Sequence, residues 1–371
     1  MRIGIIGAGQ LGRMLGFAAR ELGHTCTFLD PADNPPAAAA GATLCAAYDD
    51  ADALAALARG ADVVTYEFEN VPIDALLQLP ADTPVYPPPE ALRLAQDRLS
   101  EKALFARLDI PLPPYRHVDE RRDLDAAAAD LGFPLVLKTR RFGYDGKGQF
   151  VVRAPEDSNV AWEMLGGRPL VAEAWVPFER EVSIIGARGL SGESCAWPLT
   201  ENRHRDGILQ SSLAPVNDAG LTAAASRYLH ALLDALDYIG VLALELFVSG
   251  NGLFANEFAP RVHNSGHWTI EGSTTSQFAN HIRAVTGDRL GPADCREFVG
   301  MVNLIGSLPQ SVRDFTDHRA TLHDYGKTPR PGRKLGHVTV CAADAAERDR
   351  LLASVDELLR TASANAGTTG R

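Results

Sequence analysis

Two short apolar runs in the middle of the chain each carry one glutamate where a buried strand would normally place Leu or Val. They are VLALELFV at 241–248, with Glu245, and FANEFAP at 254–260, with Glu257, and the turn sequence SGNG joins them as a hairpin. Counting outward from the turn brings the carboxylates to within about one residue of cross-strand register, where like charges repel. Because burying an ionised carboxylate is costly, the pair favours a bound Mg²⁺, which accepts carboxylates together with substrate phosphates. A single glutamate on a solvated strand face is the alternative.

Composition and charge exclude several classes of protein. A chain of 371 residues can form several domains, and its net charge of −11 argues against sequence-independent binding of nucleic acid. The five cysteines are scattered without a C-x-x-C spacing, which is typical of free thiols in a reducing compartment. Neither a signal peptide nor an apolar run of membrane-spanning length is present in the sequence. We therefore expect a soluble, cytoplasmic protein with no nucleic-acid or membrane partner.

The N-terminal part of the sequence alternates strand and helix. The pattern predicts strands at 2–6, 25–30 and 63–67, with helices at 11–22 and 50–59 between them. A βαβαβ order implies a parallel sheet, and ligands bind such sheets at the carboxyl ends of the strands.

The whole chain is expected to be a multidomain protein of mixed α/β and α+β class. Domain boundaries are predicted from proline clusters and changes in pattern: a Rossmann-like domain at 1–90, a helix with a small α+β lid at 91–175, a part that holds the carboxylate hairpin at 176–295 and a C-terminal domain at 296–371. One charged helix is expected over 90–108. A second helix is expected over 345–360.

The motif GAGQLG, residues 7–12, lies between the first predicted strand and helix. It matches the G-x-G-x-x-G fingerprint, and Asp30 ends the next strand, as in nicotinamide-dependent dehydrogenases. The same turn can receive any phosphate at a helix N-terminus, so both interpretations stay open. Gln10, Glu67 and Glu69 place polar groups where a ribose could bind, although ordinary loop polarity explains them equally well.

The segment LVLKTRRFGYDGKGQFVV, residues 135–152, places a glycine-rich and cationic loop between two apolar strands. Glycines let backbone N–H groups approach phosphate oxygens, and Lys138 and Lys147 can supply positive charge. The loop is not a Walker motif, because no G-K-[ST] sequence opens a helix. It is interpreted as a phosphate-covering loop rather than a plain hairpin turn.

The segment LVAEAWVPFEREVSIIG, residues 170–186, joins two apolar strands by a short linker. The linker carries Trp175 and Val176 between Glu173 and Glu181. Exposed backbone groups beside apolar side chains can hold an adenine, with a carboxylate near the ribose hydroxyls. Taken alone, each glutamate is more typical of a solvated strand end.

A cluster of cations occurs near the C-terminus, in PRPGRKLGH at 329–337, which we name the basic turn. It contains Arg330, Arg333, Lys334 and His337. In so acidic a protein this cluster suggests an anionic ligand, with a solvated turn as the alternative.

The order of these motifs resembles the ATP-grasp superfamily, and within it the N5-carboxyaminoimidazole ribonucleotide synthetase family. The matching blocks are GQLGRM, DRLSEK, GYDGKGQ, EVSIIGARG, ENRHRDGIL, NEFAPRVHNSGHW, NLIG and PGRKLGH, over about residues 1–340. The resemblance implies an ATP-grasp fold with a Rossmann-like N-terminal domain, a hinged lid and a small β-rich C-terminal domain. It also implies a homodimer.

The activity that the resemblance implies is the Mg²⁺-dependent use of ATP and bicarbonate to carboxylate 5-aminoimidazole ribonucleotide through carboxyphosphate. The ATP-binding residues that it implies are Arg98, Lys138, Gly143, Tyr144, Asp145, Gly146, Lys147, Gly148, Gln149, Glu173, Ala174, Trp175, Val176, Glu181, His204, Asn256 and Glu257. Those implied for the ribonucleotide are Gln10, Leu11, Glu67, Glu69, Tyr144, Asp145, Arg261, Arg333 and Lys334.

Bicarbonate is expected at His263, Asn264 and Ser265, with Lys334 nearby. By the same resemblance, the groups with catalytic roles are Asp145, Arg261, His263, Asn264, Ser265 and Lys334, with Asp145 as the hypothetical acceptor of the amine proton. Glu245 and Glu257 would hold the metal. Superfamily relatives often place an Asn two residues after the second carboxylate, where this chain has Ala259, so water or a phosphate could take the place of the third ligand.

Two alternatives remain at this stage. One is an ATP-grasp enzyme that uses formate instead of bicarbonate, such as a glycinamide ribonucleotide transformylase. The other is the nicotinamide dehydrogenase, in which the carboxylate hairpin and the glycine-rich loop would have no role.

Overall fold

A computed structural model describes residues 1–143, 146–250, 252–315 and 317–368, with side chains as far as 361. These residues form three β-sheets, two of four strands and one of nine. None of the helices in the described part of the chain combines the length and apolar character needed to cross a membrane.

The N-terminal sheet is parallel, as predicted, with the strand order β3-β2-β1-β4. The sequence analysis missed β3, a short strand whose side chains are all at least partly exposed. The elements of this part are β1 (Arg2–Ile6), α1 (Gln10–Glu21), β2 (Thr25–Asp30), β3 (Ala42–Cys45), α2 (Ala51–Gly60), β4 (Val63–Tyr66) and α3 (Ile73–Leu77).

The lid follows two helices and is built on a sheet with the order β5-β8-β6-β7. The elements are α4 (Pro89–Ala95), α5 (Arg98–Arg107), β5 (Tyr115–Val118), α6 (Arg121–Leu131), β6 (Leu135–Thr139), β7 (Gln149–Val152), α7 (Asp157–Leu165) and β8 (Leu170–Ala174). The prediction of one helix over 90–108 is wrong. The helix breaks because Asp97 caps a new one, its carboxylate accepting a hydrogen bond of 3.0 Å from the Leu99 N–H.

The large sheet has the order β14-β13-β9-β11-β12-β15-β17-β16, with β10 paired to β9. Its first elements are β9 (Arg180–Arg188), β10 (Ser194–Ala196), β11 (Thr200–Arg205), β12 (Ile208–Ala214), α8 (Ala219–Ala235), β13 (Gly240–Ser249), β14 (Gly252–Ala259), α9 (Thr269–Gly272) and α10 (Gln277–Thr286). The C-terminal elements are β15 (Phe298–Ile305), α11 (Gln310–Arg313), β16 (Ala320–Asp324), β17 (Lys334–Ala342) and α12 (Ala345–Thr368).

The structure of the C-terminal part differs from the prediction in two respects. The β-rich region does not form a sheet of its own, because β15 pairs with β12 and extends the large sheet. The basic turn and the carboxylate hairpin are therefore carried by one continuous sheet. The last helix also continues beyond the predicted 345–360, to Thr368.

The alternation of side chains along β13 determines which face of the sheet carries Glu245. Val241 and Ala243 belong to the hydrophobic core that α1 and α10 share with the sheet, whereas Leu242 and Leu244 belong to the core beneath α5 and α8. Since side chains alternate along a strand, Glu245 lies on the same face as Val241 and Ala243, at the end of that core.

Candidate active site

A cavity of about 630 Å³ lies between the N-terminal domain, the lid and the large sheet. It brings together residues that are far apart in sequence. The predicted site residues that line it are Gln10, Leu11, Glu67, Glu69, Arg98, Lys138, Gly143, Gly146, Lys147, Gln149, Glu173, Ala174, Trp175, Val176, Glu181, His204, Glu245, Asn256, Glu257, Arg261, His263, Asn264, Ser265 and Lys334.

The two hairpin glutamates are direct cross-strand partners, and the ladder shifts register immediately after Glu245. Glu245 Oε1 lies 3.0 Å from His263 Nε2, and Glu257 Oε2 lies 3.1 Å from Arg98 Nη1. Burial acts to raise the pKa of Glu245, but its hydrogen bond to His263 and the nearby positive charges outweigh burial and lower the pKa to about 2. Glu245 is therefore held in its ionised form beside the carboxylate of Glu257.

This arrangement fits a hard cation that shares its ligands with a phosphate. Both carboxylates face the cavity, and Ala259 offers no ligand where superfamily relatives often carry Asn. Among the described residues, no three His, Cys, Asp or Glu side chains are grouped so that they could hold a metal ion by themselves. Mg²⁺ is usually bound by one or two carboxylates with water and substrate phosphates.

Three charged side chains form a buried group at the base of the lid. Glu173 on β8 lies 3.0 Å from Lys138 Nζ through one oxygen and 3.0 Å from Lys102 Nζ through the other. Burial acts to raise the pKa of Glu173, but the charges of Lys138, Lys102 and Arg98 outweigh it and lower the pKa to about 2. Lys138 and Glu173 line the cavity, and Lys102 lies behind them.

The lid loop, of which residues 140–143 and 146–148 are described, approaches the turn between β11 and β12 at Gly146. A side chain at Gly146, which has φ +74°, would come within 2.9 Å of the Gly207 backbone. Arg140 and Arg141 both contact Asp97, at 2.7 and 3.5 Å, and do not line the cavity. Of the three cations in the loop sequence, Lys147 is therefore the one that reaches the cavity wall.

Apolar side chains line the part of the cavity where adenine is expected. Trp175 and Val176 are joined there by Phe178, whose ring stacks on Phe247 at a centroid distance of 4.7 Å. The sequence analysis did not identify these two phenylalanines. Such a slot beside exposed linker backbone can hold a planar base.

A polar pair, His204 Nδ1 and Glu181 Oε2, lies 2.9 Å apart at the same wall. Burial acts to lower the pKa of His204, but its hydrogen bond to Glu181 and the neighbouring carboxylates outweigh burial, so the pKa is raised above its usual 6.5. The ion pair of His204 with Glu181 therefore stabilises the fold fully below about pH 6.5. This stabilisation is lost as the pH rises through the raised pKa of His204 in the folded protein.

We accordingly expect Glu181→Gln to lower the free energy of unfolding by about 1 kcal/mol below pH 6.5, and by progressively less at higher pH. Urea denaturation of parent and variant across this pH range measures the difference. Asp119→Asn, which removes the partner of the exposed His117, is the control and should show a smaller dependence. If the free energies of unfolding of parent and Glu181→Gln differed by the same amount at all pH values, His204 and Glu181 would not form this ion pair.

The turn His263–Ser265, which we name the HNS turn, is fixed by buried polar contacts on two sides. The Ser265 hydroxyl lies 2.8 Å from His263 Nδ1 and 2.8 Å from the Ser183 hydroxyl of β9. The side-chain amides of Asn264 and Asn303 exchange hydrogen bonds of 2.8 and 3.1 Å. The turn is thus held in place both by β9 and by the C-terminal strand β15, and its three residues line the cavity.

Backbone N–H groups of the GAGQLG motif donate hydrogen bonds to carboxylates of the protein itself. The Glu67 carboxylate accepts hydrogen bonds from the N–H groups of Gly9 and Gly12, at the N-terminus of α1. Asp30 accepts from the Ala8 N–H and from the Tyr48 hydroxyl, each at 2.9 Å. These contacts fill the positions that a pyrophosphate and a ribose hydroxyl would need, so the dehydrogenase interpretation is wrong.

The hydrogen bonds of Glu67 explain why residue 9 is a glycine. A Cβ there would lie 2.7 Å from Glu67 Oε1, so the carboxylate would have to move away from the helix. We expect Gly9→Ala to lower the free energy of unfolding by about 1–3 kcal/mol, measured by urea denaturation. Gly60→Ala, where a Cβ would meet nothing within 4 Å, is the matched control. Equal stability of the two variants would contradict this role of Glu67.

Three cations, Arg261, Lys327 and Lys334, lie at this end of the cavity, and we name them the cationic wall. Arg261 and Lys334 line the cavity, whereas Lys327 is not among its lining residues. Lys327 Nζ donates a hydrogen bond to the Gln10 side chain, and Lys334 lines the cavity at the start of β17. Burial lowers the pKa of Lys327 to about 8, with a further contribution from the neighbouring basic turn. Arg261 pairs with Glu69 at 2.7 Å. The wall is therefore suited to an anion that enters between the N-terminal and C-terminal parts.

Some predicted residues are placed differently or are not described. Tyr144 and Asp145 lie outside the described residues. Gly148 and Arg333 are not in the cavity wall. His337 of the basic turn is buried in β17, where its Nδ1 lies 2.7 Å from the Tyr325 hydroxyl. Residues that sequence reasoning missed include Lys102, Lys327, Phe178, Phe247 and Asn202.

Comparisons with known families agree with this architecture. A model of the ribonucleotide synthetase preATP-grasp domain matches residues 1–96, and an ATP-grasp domain model matches 103–278. A model of the phosphoribosylaminoimidazole carboxylase C-terminal domain matches 300–350.

Individual relatives extend the similarity to nearly the whole chain. An N5-carboxyaminoimidazole ribonucleotide synthase from Pseudomonas aeruginosa is 47% identical over 97% of this chain and 99% of its own. The crystal structure of the synthetase from Thermus thermophilus superposes with a TM-score of 0.91 at 47% identity, covering 96% of this chain and 98% of that one. The Aspergillus clavatus synthase in complex with ADP and 5-aminoimidazole ribonucleotide has a TM-score of 0.90 at 31% identity, with 97% and 98% covered. The chain therefore belongs to the N5-carboxyaminoimidazole ribonucleotide synthase family of ATP-grasp enzymes.

Proposed function

We propose that this protein is a ligase that uses ATP and bicarbonate to carboxylate the amine of 5-aminoimidazole ribonucleotide, in purine biosynthesis. The products are N5-carboxyaminoimidazole ribonucleotide, ADP and phosphate. The observation that carries the proposal is the meeting of three features in one cavity: the carboxylate pair Glu245 and Glu257, the HNS turn, and the cationic wall with Lys334. A formate-using relative is disfavoured by the match of the C-terminal part to a carboxylase domain.

The nucleotide would lie between the lid and the large sheet. The apolar slot at Trp175 and Phe178 would hold the adenine, and Glu181 with His204 would face the ribose. Lys138, Lys147 and Arg98 would neutralise the phosphates beneath the lid loop. Phosphoryl transfer depends on such positioning and charge neutralisation more than on a covalent enzyme group. Mg²⁺ bound at Glu245 and Glu257 would supply further neutralisation of phosphate charge.

The HNS turn would hold bicarbonate in line with the terminal phosphate. A bicarbonate oxygen attacks the γ-phosphorus, the bond to the bridging oxygen breaks, and ADP leaves with the electron pair. The product of this step is carboxyphosphate. The closed lid loop, packed on Gly207, would exclude water that would otherwise destroy this anhydride.

The ribonucleotide would bind along the cationic wall, with Arg261, Lys334 and Lys327 near its anionic groups and Gln10 and Glu69 near its sugar. Its amine attacks the carboxyl carbon in one of two ways. In carboxyphosphate the C–O bond to the phosphoryl group breaks and phosphate leaves with the electron pair, whereas in carbon dioxide, formed by prior release of that phosphate, one C=O π bond opens to give the carboxylate. In both cases the nitrogen loses one proton. Asp145 remains the proposed acceptor of that proton.

Release of ADP from ATP, measured with and without 5-aminoimidazole ribonucleotide and bicarbonate, tests the proposal. We expect the ribonucleotide to stimulate ADP release strongly and depletion of bicarbonate to abolish that stimulation. Stimulation by glycinamide ribonucleotide with formate, in place of these substrates, would contradict it. A homodimeric state and a cytoplasmic location also remain predictions.

A further inference from the structure

Lys102 is a fully buried lysine that does not line the cavity. It lies on α5, within the sequence block DRLSEK, and its side chain is 0% exposed. Its Nζ is 3.0 Å from Glu173 Oε1 and 5.7 Å from the centre of the Tyr115 ring. Since burial of a lysine is costly unless its charge is balanced, this position requires an explanation.

The charges of Lys102, Glu173 and Lys138 do not cancel. Glu173 is 4% exposed and lies between two lysines, with Lys138 Nζ 3.0 Å from its second oxygen. The three side chains together carry one net positive charge. If Lys102 were absent, Glu173 and Lys138 would form a neutral pair. The cavity would then lose the positive charge that Lys138 presents to it.

We propose that Lys102 is a positioning residue for the nucleotide: it binds one oxygen of Glu173, so that Lys138 keeps a net positive charge for a phosphate of ATP. Lys138 faces the phosphates in the proposed function, and the role of Lys102 rests on that placement. Lys102 acts through Glu173 and not by contact with the nucleotide. It differs in this way from Arg98, one turn earlier on α5, which lines the cavity.

The contact also has a geometric consequence. Glu173 is the register partner of Tyr115 on β5 and of Val136 on β6. Lys102 therefore connects α5, outside the lid, to the central strand of the lid sheet. The carboxylate is held from both sides, which fixes the position from which Lys138 can reach the cavity.

The test is the affinity of the full-length protein for ADP with Mg²⁺, measured by calorimetry. Lys102→Met keeps the length of the side chain and removes its charge, and we expect it to raise the Kd for ADP at least about tenfold. The KM for ATP should rise in parallel, with the KM values for bicarbonate and the ribonucleotide within about twofold of the parent. Arg107→Met, an exposed cation at the end of the same helix, is the matched control and should change the Kd less than about twofold.

A second variant separates this role from a purely structural one. Lys102→Met/Glu173→Gln removes one charge of each sign, so Lys138 again carries the net positive charge. We expect its Kd for ADP to be at least about threefold lower than that of Lys102→Met. An unchanged Kd in Lys102→Met, or a double variant that binds ADP no more tightly than Lys102→Met, would overturn the inference. ADP binding needs neither bicarbonate nor the ribonucleotide, so an error in the proposed carboxylation would leave this outcome unaffected.

Discussion

Replacing Glu245 by Gln should lower the rate of ADP formation by about a thousandfold, the largest effect expected of any single substitution in this chain. The amide oxygen of Gln can still accept the hydrogen bond from His263 Nε2, which the carboxylate accepts at 3.0 Å. The change therefore removes charge and leaves the local contacts in place. Loss of metal-assisted charge stabilisation costs several kcal/mol, and about 4 kcal/mol corresponds to about a thousandfold in rate.

The control for this prediction is Glu201→Gln. Glu201 is a strand glutamate of the same sheet that pairs with Arg180 and Arg203 and does not line the cavity. Steady-state ADP release should stay within about threefold of the parent. Raising the Mg²⁺ concentration should restore part of the activity of Glu245→Gln and have no effect on the control. Activity of Glu245→Gln within about tenfold of the parent would show that this carboxylate does not bind the metal.

The second large effect is expected at Lys334. This residue begins β17 and lines the cavity together with the HNS turn, and its charge is close enough to oppose protonation of His204. Lys334→Met should lower kcat/KM for 5-aminoimidazole ribonucleotide about a hundredfold, because a hydrogen bond to a charged group contributes about 1.5–3 kcal/mol. The KM for ATP should stay within about threefold, since Lys334 is not expected to contact the nucleotide.

ADP release with the ribonucleotide as the varied substrate measures this effect. Arg289→Met removes an exposed cation outside the cavity and should change neither parameter appreciably. If Lys334→Met raised the KM for ATP as much as that for the ribonucleotide, the two substrates would have to be placed differently.

The hairpin that carries Glu245 and Glu257 could be predicted from sequence because its signal is local. The turn at 249–252 and the apolar alternation on both sides determine the register, and the structure pairs Glu245 directly with Glu257. The parallel N-terminal sheet follows in the same way from alternating strand and helix patterns. Each of these features depends on residues that are close together in the chain.

The buried charge contacts could not be predicted, because they depend on tertiary packing. Lys102 lies in a helix rich in charge and has the pattern of a solvated residue, yet its partner Glu173 is on another element of the fold. Glu67 was interpreted as a ribose contact or as loop polarity, and its hydrogen-bond donors Gly9 and Gly12 are 58 and 55 residues away. The extension of the catalytic sheet by β15 is likewise a long-range pairing that no local pattern encodes.

In the proposed reaction the terminal phosphate of ATP is transferred to bicarbonate held at the HNS turn. Isotope transfer tests this step: turnover with ATP, the ribonucleotide and ¹⁸O-labelled bicarbonate, followed by mass analysis of the released phosphate. Attack of a bicarbonate oxygen on phosphorus predicts one labelled oxygen in each phosphate formed. Phosphate without label, at full turnover, would mean that water or another acceptor takes the phosphoryl group, and would contradict its transfer to bicarbonate.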